Sequence, residues 1–351
     1  MCIVLLTTSH PDYALIAIDN RDEYILRPTS KPHWWAPKGA DVETSPVKIL
    51  SSRDLQRDEQ GTWLGITNYG NFAVLTNYRE MEVENAWHPP IHGTRSRGGM
   101  VTRWLAADPS QTTDQFVRTM LEGGEVKGVG GFSLICGKLR KKPGHRAIEP
   151  LAIISNRADK VDKVPRICGG GEGDSVYGLS NAIYVDSDED PENETWDKVK
   201  LGRAFLKETI DKATQERFTE DQLVDALFEV LSQDTFPGDH GIDLDDAIPL
   251  LQKSVFIPAI GGEKHQQEFV QAQAHAPTPK ELKQDNQPNG FEAGLYGTQR
   301  QTIILVDWSG KVTYRERALY DAHGNPVPVP TGDHIETFQI RDFGVETPSF
   351  L

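Results

Sequence analysis

An α+β fold is predicted by three observations: β-rich runs open and close the chain, amphipathic helical stretches fill its middle, and no internal repeat recurs. At the N-terminus, residues 2–7 and 13–19 read as short strands around the turn-forming Ser9-His10-Pro11-Asp12. The polar quartet Asn20-Arg21-Asp22-Glu23 reads as a turn after the second strand. Strand-like runs follow at 62–66 and 72–75, with 68–71 between them, and then helices near 98–107 and 113–122. The second of these helices places Phe116, Met120 and Leu121 at helical spacing. Residues 132–136 and 151–155 predict a hairpin closed by the charged loop 138–149. Residues 196–213 and 219–231 are amphipathic, and Thr219-Glu220-Asp221-Gln222 carries the cap and acidic first turn of a helix start. Residues 261–290 are rich in Gln, Pro and Lys and nearly free of large apolar side chains, which predicts a mobile surface insertion. The strands at 302–308 and 311–316 meet at Ser309-Gly310, a hairpin signal.

The 351 residues allow one large domain or two modest ones. Apolar residues make up 37% and charged residues 25%, a globular rather than a disordered composition. With 37 basic against 52 acidic residues the formal charge is −15, which argues against nucleic acid as a partner, since phosphate binding needs a dense cationic surface. The three cysteines, Cys2, Cys136 and Cys168, form no CxxC pair and are too few for a disulfide scaffold. The apolar start lacks a basic n-region, and no run reaches the roughly 18 apolar residues of a transmembrane helix. A cytoplasmic protein is the expectation, with peripheral membrane contact left open. Familiar metal signatures fail: the acidic run at 186–190 has Pro191 where a calcium loop needs glycine, and the ten histidines show no HExxH spacing. No metal is expected. The glycine run at 169–173 lacks the Lys-Ser or Lys-Thr of a phosphate loop and reads as a turn.

The N-terminus carries the chemistry. Cys2 follows the initiator Met, and so small a second residue permits Met removal. Cleavage would leave one residue with a thiol and a free α-amine, whose ordinary pKa values of about 8.5 and about 7.7–8.0 are close enough for the amine to act as the thiol's base. The plainer alternative is a small apolar residue opening a strand. A hairpin of the first two strands would bring Asn20-Arg21-Asp22-Glu23 near Cys2, where an Arg favours a thiolate and a carboxylate can hold an ammonium. The alternative is an exposed polar turn with a local ion pair of little energetic value.

Five blocks carry a wider resemblance. Met-Cys-Ile with Asn-Arg-Asp-Glu, then Gly61-Thr62-Trp63-Leu64-Gly65-Ile66, Ala73-Val74-Leu75-Thr76-Asn77-Tyr78-Arg79, Tyr177-Gly178-Leu179-Ser180-Asn181-Ala182 and Tyr296-Gly297-Thr298 resemble, in order, the transport and Golgi organisation protein 2 family, also called the NRDE family. That family in turn resembles the N-terminal nucleophile hydrolases of the bile-salt hydrolase and penicillin acylase branch. The resemblance implies a single domain over residues 1–351 with a four-layer αββα sandwich. It implies Cys2 as nucleophile, Arg21 and Asp22 as the pair that positions it, Asn77 as an oxyanion donor and Asn181 as support to the amine or substrate. Asn20, Glu23, Tyr78 and Arg300 are the implied substrate-side contacts. Two departures stand out. Arg21 and Asp22 are adjacent, so an extended chain points them to opposite faces, with Glu23 as the alternative carboxylate; and Gln299 takes the place of an Arg, with Arg300 following.

The activity implied is that of a cysteine amidohydrolase or thioesterase acting on an acyl substrate without a cofactor. The alternative implied is a non-catalytic carrier of haem or acyl-coenzyme A, and a scaffold for membrane traffic is a third reading. The family's association with Golgi organisation, secretion and lipid homeostasis extends the expected location from cytoplasm to Golgi- or mitochondria-associated cytoplasm.

Overall fold

The computed structural model describes residues 2–77, 97–127, 129–156, 158, 160–170, 176–182, 184, 195–275 and 293–344. Its described strands form two antiparallel sheets. The first contains β1 (Ile3–Thr7), β2 (Tyr13–Tyr24), β10 (Val176–Leu179), β11 (Tyr296–Asp307), β12 (Lys311–Ala318) and β13 (Asp333–Gln339), in the order β10-β1-β2-β11-β12-β13. The second runs in chain order: β3 (His33–Trp35), β4 (Ile49–Ser51), β5 (Leu64–Thr67), β6 (Asn71–Asn77), β7 (Phe132–Lys138), β8 (Leu151–Ser155) and β9 (Arg166–Ile167). The helices are α1 (Gly98–Leu105), α2 (Thr113–Glu122), α3 (Asp197–Glu216), α4 (Glu220–Leu231), α5 (Leu244–Ala247) and α6 (Glu263–His275).

Three apolar clusters define the layers. Val4, Leu6, Leu15, Ala17, Ile304 and Val306 of the first sheet pack against Leu64, Ile66, Phe72, Val74, Ile135 and Ile153 of the second. The alternate residues face outward: Ile3, Leu5, Ile16, Ile18, Ile303 and Leu305 meet Leu206 and Ile210 of α3 and Leu223, Leu227 and Phe228 of α4. On the other side, Ala73, Leu75, Phe132 and Leu134 meet Trp104 of α1 and Phe116 and Met120 of α2. Period-two alternation thus gives each central strand two apolar faces, and the strands read as near-continuous apolar runs because both faces are covered. The layer order is αββα, as the sequence resemblance implied.

Local signals hold where the chain is self-contained. Thr219 caps α4 in a reciprocal capping box with Gln222, as does Thr112 with Gln115 at α2. Two expectations change. The quartet at 20–23 is not a turn: β2 continues to Tyr24 because β11 pairs alongside it as far as Tyr296 opposite Tyr24. A neighbouring strand overrides the turn preference of Asn and Asp. In the segment expected to be a surface insertion, residues 263–275 form α6, whose Phe269 ring packs on Gly294 and Gly324; residues 276–290 lie outside the described residues.

Candidate active site

Cys2 immediately precedes β1, which lies between β10 and β2 in the interior of its sheet. Val4 and Leu6 point between the sheets and Ile3 and Leu5 toward α3 and α4, so the pleat puts Cys2 on the inter-sheet side. The register of Ile3 with Asn20, carried one residue further, sets Cys2 opposite Arg21. The thiol is half-buried and points at the Asp22 carbonyl, 3.8 Å away. Burial pushes it up to about 11, and the charges of Asp19 and Asp22 push the same way, against the chain's N-terminal ammonium. Desolvation disfavours the charged form, so in this state Cys2 is a resting thiol.

Arg21 and Asp22 diverge, as adjacent strand residues must. Arg21 lies between the sheets, with its guanidinium 4.4 Å from the centre of the Trp63 ring, and donates to the Gln299 side chain. Gln299 is itself fixed by donating to the carbonyls of Ile25 and Arg27, each at 2.9 Å. Asp22 faces the helical layer, where Oδ2 is 3.4 Å from Lys198 Nζ of α3 and Oδ1 accepts from the Thr298 hydroxyl at 2.8 Å. The Asp22 and Lys198 side chains are both fully buried. Asp22 therefore meets Cys2 through its backbone carbonyl, which also accepts from Tyr296 at 3.0 Å. Asn20 shares the helical side and donates to the carbonyls of Leu231 and Val255, which makes it a strut between β2 and α4.

Glu23 is half-buried, with one oxygen 3.8 Å from Arg27, and its charge is felt by Arg21 and Arg97. Arg27 also pairs with Asp54 at 2.7 Å and, despite burial, holds that carboxyl below its usual range. Arg21, Arg27 and Arg97 thus gather at the Cys2 end of the sandwich. Arg300 opposes Arg21 beyond an irregularity between Thr298 and Arg300, and is committed to Glu316 at 3.1 Å and Thr29 at 3.0 Å. Asn181 is buried beside Ser180, whose hydroxyl donates to the Cys2 carbonyl at 2.7 Å. Thr76 of β6 donates to the Ser180 carbonyl at 2.7 Å, so this segment ties the second sheet to the start of β1. Asn77 pairs with Phe132, a member of the outer cluster, so its register places it on the α1–α2 side of β6 and not on the face that carries Cys2. Tyr78 lies outside the described residues.

The structure therefore brings Arg21, the Asp22 carbonyl and the Ser180–Asn181 segment to Cys2, and sets Asn20, Asn77 and Arg300 apart from it. Residues that single-sequence reasoning missed include Lys198, Thr298, Tyr296, Gln299 and Trp63, the last four of which stand inside or beside quoted blocks. Lys198 left no signal, because an amphipathic helix explains a lysine without a partner 176 residues away. No group of three or more His, Cys, Asp or Glu suited to a metal ion occurs among the described residues.

A family model described as Transport and Golgi organisation 2 matches residues 1–321. The chain belongs to that family. It is 27% identical over 327 residues to the human Transport and Golgi organization protein 2 homolog, covering 92% of this chain and 94% of that one. An uncharacterized protein of Saccharomyces cerevisiae is 26% identical over 326 residues, covering 92% and 93%. Among solved structures it is similar to a penicillin V acylase from Agrobacterium tumefaciens, at 11% identity, coverage of 99% and 89% and a TM-score of 0.40. A mutant conjugated bile acid hydrolase from Clostridium perfringens shows 10% identity, 99% coverage of both chains and a TM-score of 0.38. Likeness at that level adds nothing to the layer order, which the core clusters of this family member already give. No helix among the described residues is long and apolar enough to cross a membrane.

Proposed function

We propose that this chain is a cysteine acyl-transfer hydrolase of N-terminal nucleophile type, acting on a linear amide or thioester. The observation that carries the reading is the half-buried Cys2 thiol on the inter-sheet face, 3.8 Å from the Asp22 carbonyl, with Arg21 held beside it by Trp63 and Gln299. Removal of Met1 would leave a free α-amine on Cys2 itself, which takes the thiol proton and, as the resulting ammonium, opposes the burial that keeps the sulfur protonated. The thiolate attacks the acyl carbonyl, the amine or thiol leaving group departs with the proton taken from Cys2, and water releases the acid. The oxyanion would be met by donors on the Arg21 side of Cys2, where such a group is commonly worth about 3 kcal/mol. Intact mass of the purified protein is the first test, since retained Met1 removes the free amine and ends this mechanism. With Met1 absent, Cys2→Ala should abolish labelling by an electrophilic acyl probe.

The second reading is a carrier without turnover, in which Arg21, Arg27 and Arg97 near Cys2 would exchange their present partners, Gln299 for Arg21 and Asp54 for Arg27, for the phosphates of an acyl-coenzyme A. Haem is supported less well, because its axial donor here would be a thiol that burial keeps protonated. Titration with long-chain acyl-coenzyme A and with haem separates the two readings: turnover lost in Cys2→Ala marks the enzyme, and tight binding without turnover marks the carrier. A role at Golgi or mitochondrial membranes, in secretion or lipid homeostasis, is the cellular setting we propose for either.

A further inference from the structure

Beside Cys2 the inter-sheet face holds a carboxyl that acyl transfer does not use. Asp19 lies opposite Val4 of β1 and Thr302 of β11. Val4 is two residues from Cys2 on the same face, which makes Asp19 a diagonal neighbour of the thiol. Asp19 is 1% exposed. Neither of its oxygens hydrogen-bonds to a described residue, and the same holds for the Trp63 indole N–H and the Thr302 hydroxyl. Thr302 shares its face with Ile304 and Val306, and Trp63 packs on the inter-sheet core, so all three groups lie on the layer between the sheets.

The charges around Asp19 are Cys2 on β1, Arg21 on β2, Arg300 on β11, and Tyr314 and Glu316 on β12, with Asp22 on the far side of β2. Glu316 has its donors: Ser52, Tyr314 and Arg300 all reach it. Asp19 has only the Trp63 indole N–H close by, outside normal hydrogen-bond geometry. A buried carboxylate so thinly supplied with donors is costly, and the group escapes that cost by keeping its proton. Burial, then the charges of Asp22 and Glu316, hold it well above the usual carboxylate range, and Arg21 and the nearby Trp63 offset only part of this.

We propose that Asp19 is the proton-carrying group of the Cys2 site, a neutral carboxylic acid that faces the inter-sheet space and governs how readily the thiol ionises. A neutral acid leaves a thiolate unopposed and carries a donor as well as acceptors. Once ionised, it sets a second negative charge beside the sulfur.

Alkylation of Cys2 by iodoacetamide in the full-length protein, from about pH 6 to about pH 10, tests this without turnover or Met1 removal, so an inactive protein leaves the test standing. Cys2→Ala supplies the blank. Asp19→Asn fixes the neutral state, so its rate should match the wild type within about twofold at neutral pH and exceed it by roughly 3- to 30-fold toward the alkaline end of the range, as a nearby charge predicts. A comparable excess already at neutral pH would mean that Asp19 is ionised there, and superposed profiles at every pH would mean that it does not act on the thiol. Either result overturns the proposal. If Asp19→Asn does not fold, the carboxyl carbon signal of carbon-13 aspartate in the wild type decides: it should not titrate between about pH 4 and about pH 7.

Discussion

Lys198 gives the sharpest test of how the site is held. Its ammonium is 3.4 Å from Asp22 Oδ2, and neither side chain touches solvent. At an effective dielectric of about 20 that separation corresponds to roughly 5 kcal/mol of attraction. Breaking a buried pair by removing one partner commonly costs about 3–5 kcal/mol, because the other charge is stranded. Lys198→Met keeps the bulk and removes the charge, so the fold should lose about 4 kcal/mol, a large part of a typical 5–15 kcal/mol stability. With an m-value near ~3 kcal/mol/M, the urea midpoint should fall by about 1 M. Asp22→Asn in the same chain removes the charge that Lys198 faced, and the double variant should recover at least half of the lost midpoint. A single variant that unfolds at the wild-type midpoint would refute the reasoning. So would a double variant as unstable as the sum of the two singles, since contacting groups should not add.

Trp63→Ala removes the ring that faces the Arg21 guanidinium, an interaction worth about 2 kcal/mol when desolvated; beyond any loss of stability, the pH at which Cys2 alkylates should shift, whereas an unchanged profile would detach Arg21 from the thiol. Cys136 and Cys168 are fully buried, and burial pushes Cys136 up to about 12 and Cys168 higher still; iodoacetamide on the native protein should therefore modify Cys2 alone, as peptide mass spectrometry will show. Gly202 lets α3 close on β1, since a Cβ there would meet Leu5 at 2.9 Å; Gly202→Val should cost about 1–3 kcal/mol by overpacking, read as a lower melting temperature.

How much of this was legible in the sequence depended on range. The helix cap at Thr219 and the hairpin at Ser309-Gly310 were readable because their partners lie within a few residues. Cys2 and the polar quartet were readable as a constellation, and the opposition of Arg21 and Asp22 followed from the pleat alone. The extension of β2 through Tyr24 was not, because it is imposed by β11, some 270 residues later in the chain. Lys198 was hidden for the same reason. The register of Asn77 with Phe132 depended on a strand pairing that no local pattern fixes.

The place of β1 between β10 and β2 also sets a timetable for synthesis. The β1–β2 hairpin is made first, but its outer partners begin at Val176 and Tyr296. At roughly 5–20 residues per second, β11 emerges roughly 15–60 s after the hairpin. Both hairpin edges are open until β10 emerges, and the β2 edge stays open until β11 follows. A ribosome stalled between β10 and β11 therefore leaves β2 as an unprotected edge strand rather than a smaller working protein.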